Sequence, residues 1–528
     1  MALYFDFVNG NDANPGTEAS PKKDAGVATL AGQTAIFFRG DQTHYPSARL
    51  IVPNGLATIA TYGGNSRAIL NPAQTTEQKQ VISANGRSDF TIRDLQFTNP
   101  IVDNTSCISV FNGSTLCSNV VARNLHFFDC PQAVGLSIGA PAAAWTSAAG
   151  KATGIKVQYC SVYNMASHGL SVQAAVDGYI IEHCTADLTG TDRDTVGFGA
   201  WGIYTQGLWE KHEEAAWTQV DVPNNVWEIT QSDTYVIRDV LVPQWWNVSG
   251  LVQGWLTAGT YDALAEGEWG SPGDNSSVQV RFAAGGDPTT FDVHVIHEWA
   301  SNGIMRYNTS SRCMSASETG GDGNGFGGDL GTENLTLHDN ESYNNSGSGY
   351  SFNQSATGTV YNNKSYGNGW YGFRCNGGKT NVTYYNNAAV NNAEAAFRNQ
   401  TSGAPFTYTL RNNVAHGGKY SVDFATASTT TIDTITENNN VFSGATTETI
   451  RGDRFTPDAS DIQAAAVVGD DGSTTPASAG YRQGAFIAGF HDTYPGPWDG
   501  GGALPVGARW MAALVSTAAQ WLLTPYRR

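Results

Sequence analysis

Two stretches of this chain gather groups able to do acid–base chemistry. TADLTGTDRDTVGFGAW at 185–201 carries Asp187, Asp192, Arg193 and Asp194, and TSSRCMSASETGGDGN at 309–324 carries Arg312, Glu318 and Asp322. Only 14% of the residues are charged, so this concentration stands out. Paired carboxyl groups hydrolyse glycosidic bonds, at separations of about 5–5.5 Å for a retaining mechanism and about 6.5–9.5 Å for an inverting one. Asp192 or Asp194 opposed to Glu318 or Asp322 satisfies either. A β-elimination needs instead a base and a group that neutralises a uronate carboxylate. One acidic, glycine-rich stretch alone is a solvated turn; two such stretches held side by side make a site.

What holds them is a repeat. An asparagine-centred phrase recurs as HDNESYNN at 338–345, YNNKSYGN at 361–368, YNNAAVNN at 385–392, RNNVAHGG at 411–418 and NNNVFSG at 438–444. Its second asparagine gives Asn340, Asn363, Asn387, Asn413 and Asn440, spaced by 23, 24, 26 and 27 residues. A wandering period with short alternating apolar segments between Gly and Asn turns describes coils of three short strands. The expected fold is all-β, a right-handed parallel β-helix of about ten or more coils. Stacking places equivalent positions about 4.8 Å apart, so the asparagine amides form an internal ladder. Upstream the phrase weakens, and the same column reads Asp94, Asn124, Cys160, Cys184 and Asn308. A second column pairs Gly with an inward apolar residue: Gly135-Leu136, Gly169-Leu170, Gly202-Ile203, Gly325-Phe326, Gly349-Tyr350, Gly372-Phe373 and Ala396-Phe397. Its glycines are read as corners.

From Cys184 to Gly202 and from Asn308 to Gly325 the gap between these columns is about double its usual length. These are successive coils, so the two acidic stretches lie side by side. Between them residues 205–290 interrupt one coil and carry Trp209, Trp217, Trp227, Trp245, Trp246, Trp255 and Trp269. Such a span is expected to be a small β-rich subdomain emerging beside the acidic loops, with most of its tryptophans as its core. The chain thus divides into an N-terminal cap and first coils (1–204), the insertion (205–290), the remaining coils (291–450) and a closing segment (451–528) whose end is the best helix candidate. Trp201, Tyr204, Arg306 and Arg374 are the candidate substrate-binding residues.

Composition bounds the partners. A formal net charge of −18 with no basic run argues against nucleic acid. No apolar stretch is long enough for membrane insertion. The opening MALYFDFVNGNDANPG shows no secretory signal, so export is expected by lysis, in a virion or by another route, and otherwise the protein stays in the cytoplasm. Seven scattered cysteines indicate buried thiols, with neither a zinc site nor a disulfide framework.

GGDGNGFGGDLGTENLTLHDNESYNNSGSGYSFN at 320–353 resembles the catalytic coil of polysaccharide lyase family nine pectate lyases, within the wider group of β-helix carbohydrate-active proteins. Asp322 to Phe326 match that family's DGNGF motif, and Gly327 stands where its proton-abstracting lysine follows. The family's reaction therefore does not carry over directly. Arg374 and Arg398, two and three coils on, or Arg312, are the nearest basic replacements. The resemblance implies calcium, with Asp187, Asp192 and Asp194 matching the family's ligands in type and rough place; calcium also bridges an acidic protein to a uronate. The implied partner is an acidic polysaccharide, such as a bacterial capsule or exopolysaccharide, cleaved by a lyase or a hydrolase. The alternative is a non-catalytic, glycan-adhering virion component. Phage tailspikes use this fold and trimerise, which implies a homotrimer.

Overall fold

The computed structural model describes residues 1–451 apart from connecting stretches, the longest being 73–80, 140–150, 191–200, 231–238, 243–253, 315–322 and 425–433. The expected C-terminal helix lies outside the described residues.

Short β-forming segments separated by Asn and Gly leave each coil only three brief strands. One coil runs Ile304–Arg306, Thr309–Ser311 and Asn324–Asp329, and the next begins at Leu335–His338. Repetition builds three parallel sheets of 13, 12 and 12 strands among the described residues, each strand paired with the equivalent strand one coil away. In coil order these are the first, second and third sheets, and the molecule is a right-handed parallel β-helix. The interior is filled by in-register columns. Leu136, Leu170, Ile203, Phe326, Tyr350, Phe373, Phe397 and Val422 form one. Within it the rings of Phe326, Tyr350, Phe373 and Phe397 stack at 5.2, 4.7 and 5.1 Å.

Two residues make the corner between the first and second sheets. The first is left-handed, as at Tyr307 (φ 57), Asp339 (φ 54), Asn362 (φ 55), Asn386 (φ 52) and Asn412 (φ 57). Asn and Asp tolerate that conformation best among residues with a side chain. The second points inward and carries the ladder. Asn308, Asn340, Asn363, Asn387 and Asn413 each donate Nδ2–H to Oδ1 of the asparagine one coil on, at 3.0–3.1 Å, ending on Asn440. The same Oδ1 accepts the backbone N–H of the preceding rung. Cys184 N–H donates to Asn308 Oδ1 at 2.8 Å, and Cys160 N–H reaches Cys184 Sγ at 3.4 Å, so the cysteines extend the column.

Two expectations need correction. Asp94 (φ 58) and Asn124 (φ 56) belong to the left-handed column, and the pairing of Arg93 with Arg123 places Leu95 and Leu125 in the ladder column instead. The glycines of the second column are not left-handed corners. A Cβ at Gly202, Gly325 or Gly349 would lie 2.0–2.1 Å from Oγ of Ser310, Ser342 or Ser365. Glycine serves there to let the third sheet approach a serine column on the second.

The corner between the second and third sheets repeats the design. Left-handed Asn344 and Asn391 precede Asn345 and Asn392, and a second ladder runs Asn345, Asn368, Asn392, with Cys313 N–H donating to Asn345 Oδ1 at 2.9 Å. All seven cysteines are buried and free.

The inserted unit has its own strands, from Leu208–His212 to Val293–Glu298, in a four-stranded and a five-stranded sheet. Trp217, Trp269, Ile229, Val240, Val278, Val280 and Phe282 form a core separate from the solenoid, with Trp227 packed against it.

Candidate functional site

The strand Thr185–Thr189 pairs with Thr309–Ser311 on the second sheet, and Trp201–Gln206 pairs with Asn324–Asp329 on the third. The two acidic loops therefore leave from neighbouring strands and return to neighbouring strands. Asp192, Asp194, Glu318 and Asp322 lie outside the described residues. The inserted unit starts just past Gln206, at the other end of the Trp201–Gln206 strand from the point where the first acidic stretch joins it, and the loops themselves lie outside the described residues. Between the two insertions lies the outward face of the third sheet.

That face carries an in-register row: Ser171, Tyr204, Gly327, Ser351, Arg374, Arg398 and Asp423. Gln206 and Asp329 pair beside it. His168, which precedes Gly169-Leu170 as Trp201 precedes Gly202-Ile203, completes an aromatic group. Its ring lies 4.5 Å from that of Tyr204, which is 5.9 Å from that of Trp201. Burial drives the His168 pKa down to about 4 and that of Tyr204 up to about 12, so both are neutral near pH 7. Trp201 N–H donates to His168 Nδ1 at 3.0 Å, which assigns the imidazole proton to Nε2. His168 thus keeps a donor at Nε2, while the buried Tyr204 hydroxyl hydrogen-bonds Gln173 and Ser171.

Gly327 has no room for the lysine of the resembling family. A Cβ there would sit 2.3 Å from the Trp201 ring and 2.0 Å from the Ser351 carbonyl oxygen. Positive charge lies farther along the same row. The Arg374 guanidinium is 5.7 Å from the Trp370 ring centroid and 5.8 Å from that of Tyr371. Arg398 lies over Tyr371 at 4.7 Å and pairs with buried Asp423 at 2.9 Å.

The remaining candidates are placed elsewhere. Asp187 and Arg312 form a bidentate pair on the second sheet and its corner, and Ser311 Oγ donates to the same carboxylate at 2.8 Å. Burial would raise the Asp187 pKa, but the hydrogen bonds from Arg312 and Ser311 outweigh it and hold the carboxyl below its usual range. Both Asp187 oxygens are engaged, a poor fit to an open calcium site. Arg306 lies on the outward face of the first sheet, paired with Glu182 at 2.6 Å, away from Trp201, Tyr204 and Arg374. Sequence reading missed His168, although its place before a Gly-Leu pair marks it as the upstream neighbour of Trp201.

A family model described as a right handed beta helix region matches residues 278–442. No curated protein matches the chain. Among solved structures, the GH136 lacto-N-biosidase from Eubacterium ramulus is 11% identical, with 85% of this chain and 68% of that chain covered at a TM-score of 0.43. Pectate lyase Pel9A is 12% identical over 96% of each chain at a TM-score of 0.40. The periplasmic alginate epimerase AlgG is 9% identical, with 81% and 75% covered at a TM-score of 0.39.

Proposed function

We propose that this protein binds an acidic polysaccharide along the outward face of the third sheet and cleaves it with carboxylates from the two acidic loops. The observation that carries this reading is the row itself: neutral His168 with the aromatic rings of Tyr204 and Trp201 at one end, and Arg374 beside Trp370 and Tyr371 at the other. From Gly327 to Arg374 is two coils, or about 10 Å, a span of about two sugar units. Arg374 gives an otherwise acidic chain a local place for a uronate carboxylate, Arg398 being paired with Asp423.

Asp192, Asp194, Glu318 and Asp322 are the acid–base candidates, as a hydrolase pair or as the base of a lyase. The test incubates the protein with a panel of acidic polysaccharides and follows both the absorbance of unsaturated uronates and new reducing ends. Asp192→Ala, Glu318→Ala and Asp322→Ala are expected to abolish cleavage with little change in thermal stability. Wild-type activity in all three would overturn the assignment. Repeating the assay with calcium and with a chelator reports whether Asp192 and Asp194 hold a cation.

Adhesion to a glycan without cleavage is the second reading. It is favoured by the chemistry of the described groups, since His168 and Tyr204 are neutral and Arg398 and Asp423 neutralise each other. Binding without either product signal would select it. A homotrimer, as in tailspikes, belongs with that reading and is read from the mass in solution.

A further inference from the structure

The corner between the first and second sheets, on the far side of the solenoid from the third sheet, carries a stack of rings. Tyr307, His183 and Tyr159 occupy its left-handed column, with centroids 5.1 and 4.9 Å apart and interplanar angles of 18° and 3°. One coil before Tyr159 the column narrows to Asn124, then Asp94. The ring stack ends there, and an open concavity of about 440 Å³ begins, lined by Arg93, Asp94, Arg123, Asn124 and Tyr159.

Its charges are unusual for this chain. Arg93 and Arg123 are directly paired across adjacent parallel strands, in a protein with 29 basic residues and a net charge of −18. Like charges directly opposite one another are unfavourable. Asp94 is already engaged, by Arg93 at 2.6 Å and by Asn124 Nδ2 at 2.6 Å. Arg123 meets no carboxylate among the described residues. Its guanidinium rests over the Tyr159 ring, 5.5 Å from the centroid, and Tyr159 is 47% exposed. Glu182, the next carboxylate along the outward row, is bound to Gln158 and Arg306.

We infer that this concavity is a binding site for the carboxylate-bearing unit of an acidic saccharide, separate from the third-sheet face. The carboxylate is held chiefly by the fork of Arg123, with the guanidinium N–H groups that Arg93 does not give to Asp94 beside it. The Tyr159 hydroxyl meets ring hydroxyls and its ring holds Arg123 in place from below, while the Asn124 amide, bonded to Asp94 and Arg67, forms the floor. The volume exceeds what a bare carboxylate or sulfate needs and leaves room for a sugar ring. The assignment shares only its ligand class with the proposed function, because its residues touch no part of the third sheet. A polymer held here would raise the concentration of its own segments near the other face.

The test is calorimetric titration of the whole protein at low ionic strength with tetragalacturonate and tetramannuronate, with cellotetraose and inorganic sulfate as controls. The expected result is a class of sites that prefers an acidic tetrasaccharide to both controls. Arg123→Ala should weaken it by about tenfold or more, and adding Arg93→Ala should remove it. Cleavage of short substrates stays unchanged in both variants, whereas Arg374→Ala affects only the third-sheet sites. Failure of the proposed function would leave the Arg123-dependent class intact. No acidic tetrasaccharide binding in the wild type, binding unchanged in Arg123→Ala, or equal binding of sulfate or cellotetraose would each overturn the inference.

Discussion

At the corner between the first and second sheets, Leu95, Leu125, Cys160 and Cys184 fill the place that Asn308, Asn340, Asn363, Asn387, Asn413 and Asn440 fill farther along. The backbone path is the same in both halves. The upstream residues contribute by leaving water, each side chain largely on its own account. The asparagines contribute through bonds that need both neighbours, and a buried polar chain is stabilising only while every member is satisfied. The changeover falls at the coil that the inserted unit interrupts, from Cys184 to Asn308, with cysteine as the residue small enough to meet both kinds of neighbour. The third-sheet face crosses the same junction, from His168 to Arg374.

The largest expected effect comes from breaking the polar half in its middle. Asn363→Leu strips Asn340 N–H and Nδ2–H of an acceptor and Asn387 Oδ1 of one of its two donors, and should cost about 3–4 kcal/mol in urea unfolding. A loss no greater than that from Leu125→Ala would erase the distinction between the halves.

Mild acid probes the other half. Burial holds His126 and His168 down to about 4, with Arg67 adding to the effect on His126. Both stay neutral in the folded chain while the unfolded chain takes up protons near pH 6.5. Their stabilising effect is therefore whole above about pH 6.5 and is lost as pH falls towards about 4, by at most roughly 3 kcal/mol per group. Amide exchange at pH 5 should quicken in the coils around 120–172. His168→Gln should flatten the share of the pH dependence that His168 carries, and an unchanged profile would remove it from the account.

Gly349→Ala drives a methyl group into Ser365 Oγ, which donates to the Gly372 carbonyl at 3.0 Å and accepts from Asn368 Nδ2 at 3.0 Å. A cost of about 2 kcal/mol is expected, partly recovered by adding Ser365→Ala. Strict additivity of the two changes would show that the glycine serves some other purpose. The smallest effect is expected at the junction. Cys184→Asn gives the ladder one more rung beside Cys160, and its thermal midpoint should correspond to a change under about 1 kcal/mol.

Much of this was readable from residue order. The phrase at 338–345 and its repeats show the period because the ladder asparagine must recur once per coil, and the doubled gaps place the acidic loops on neighbouring strands. The phase was harder upstream. In Asn362-Asn363 and Asn386-Asn387 the left-handed residue and the rung are the same amino acid, so Asp94 and Asn124 looked like rungs when they continue the left-handed column. The second ladder through Asn345, Asn368 and Asn392 hid inside the same phrase for the same reason. The indole that closes the space at Gly327, and the pairing of Asp187 with Arg312, depend on coils that the linear sequence separates by 126 and 125 residues.

The asparagine ladder also has a direction. Each rung from Asn308 to Asn413 sends its backbone N–H and one Nδ2–H towards the following coil, offers Oδ1 to the preceding one, and returns its other Nδ2–H to a backbone carbonyl of the preceding coil. As the chain is synthesised from its N-terminus, a finished coil therefore waits with two donors for an acceptor that only the next coil can bring. Each coil completed is thus a template with a stated need, and growth is vectorial. A chain shortened from its C-terminal side leaves bare donors at the break. One shortened from its N-terminal side leaves an oxygen short of donors and a single amide N–H short of its carbonyl acceptor, so the two ends of the stack expose different groups.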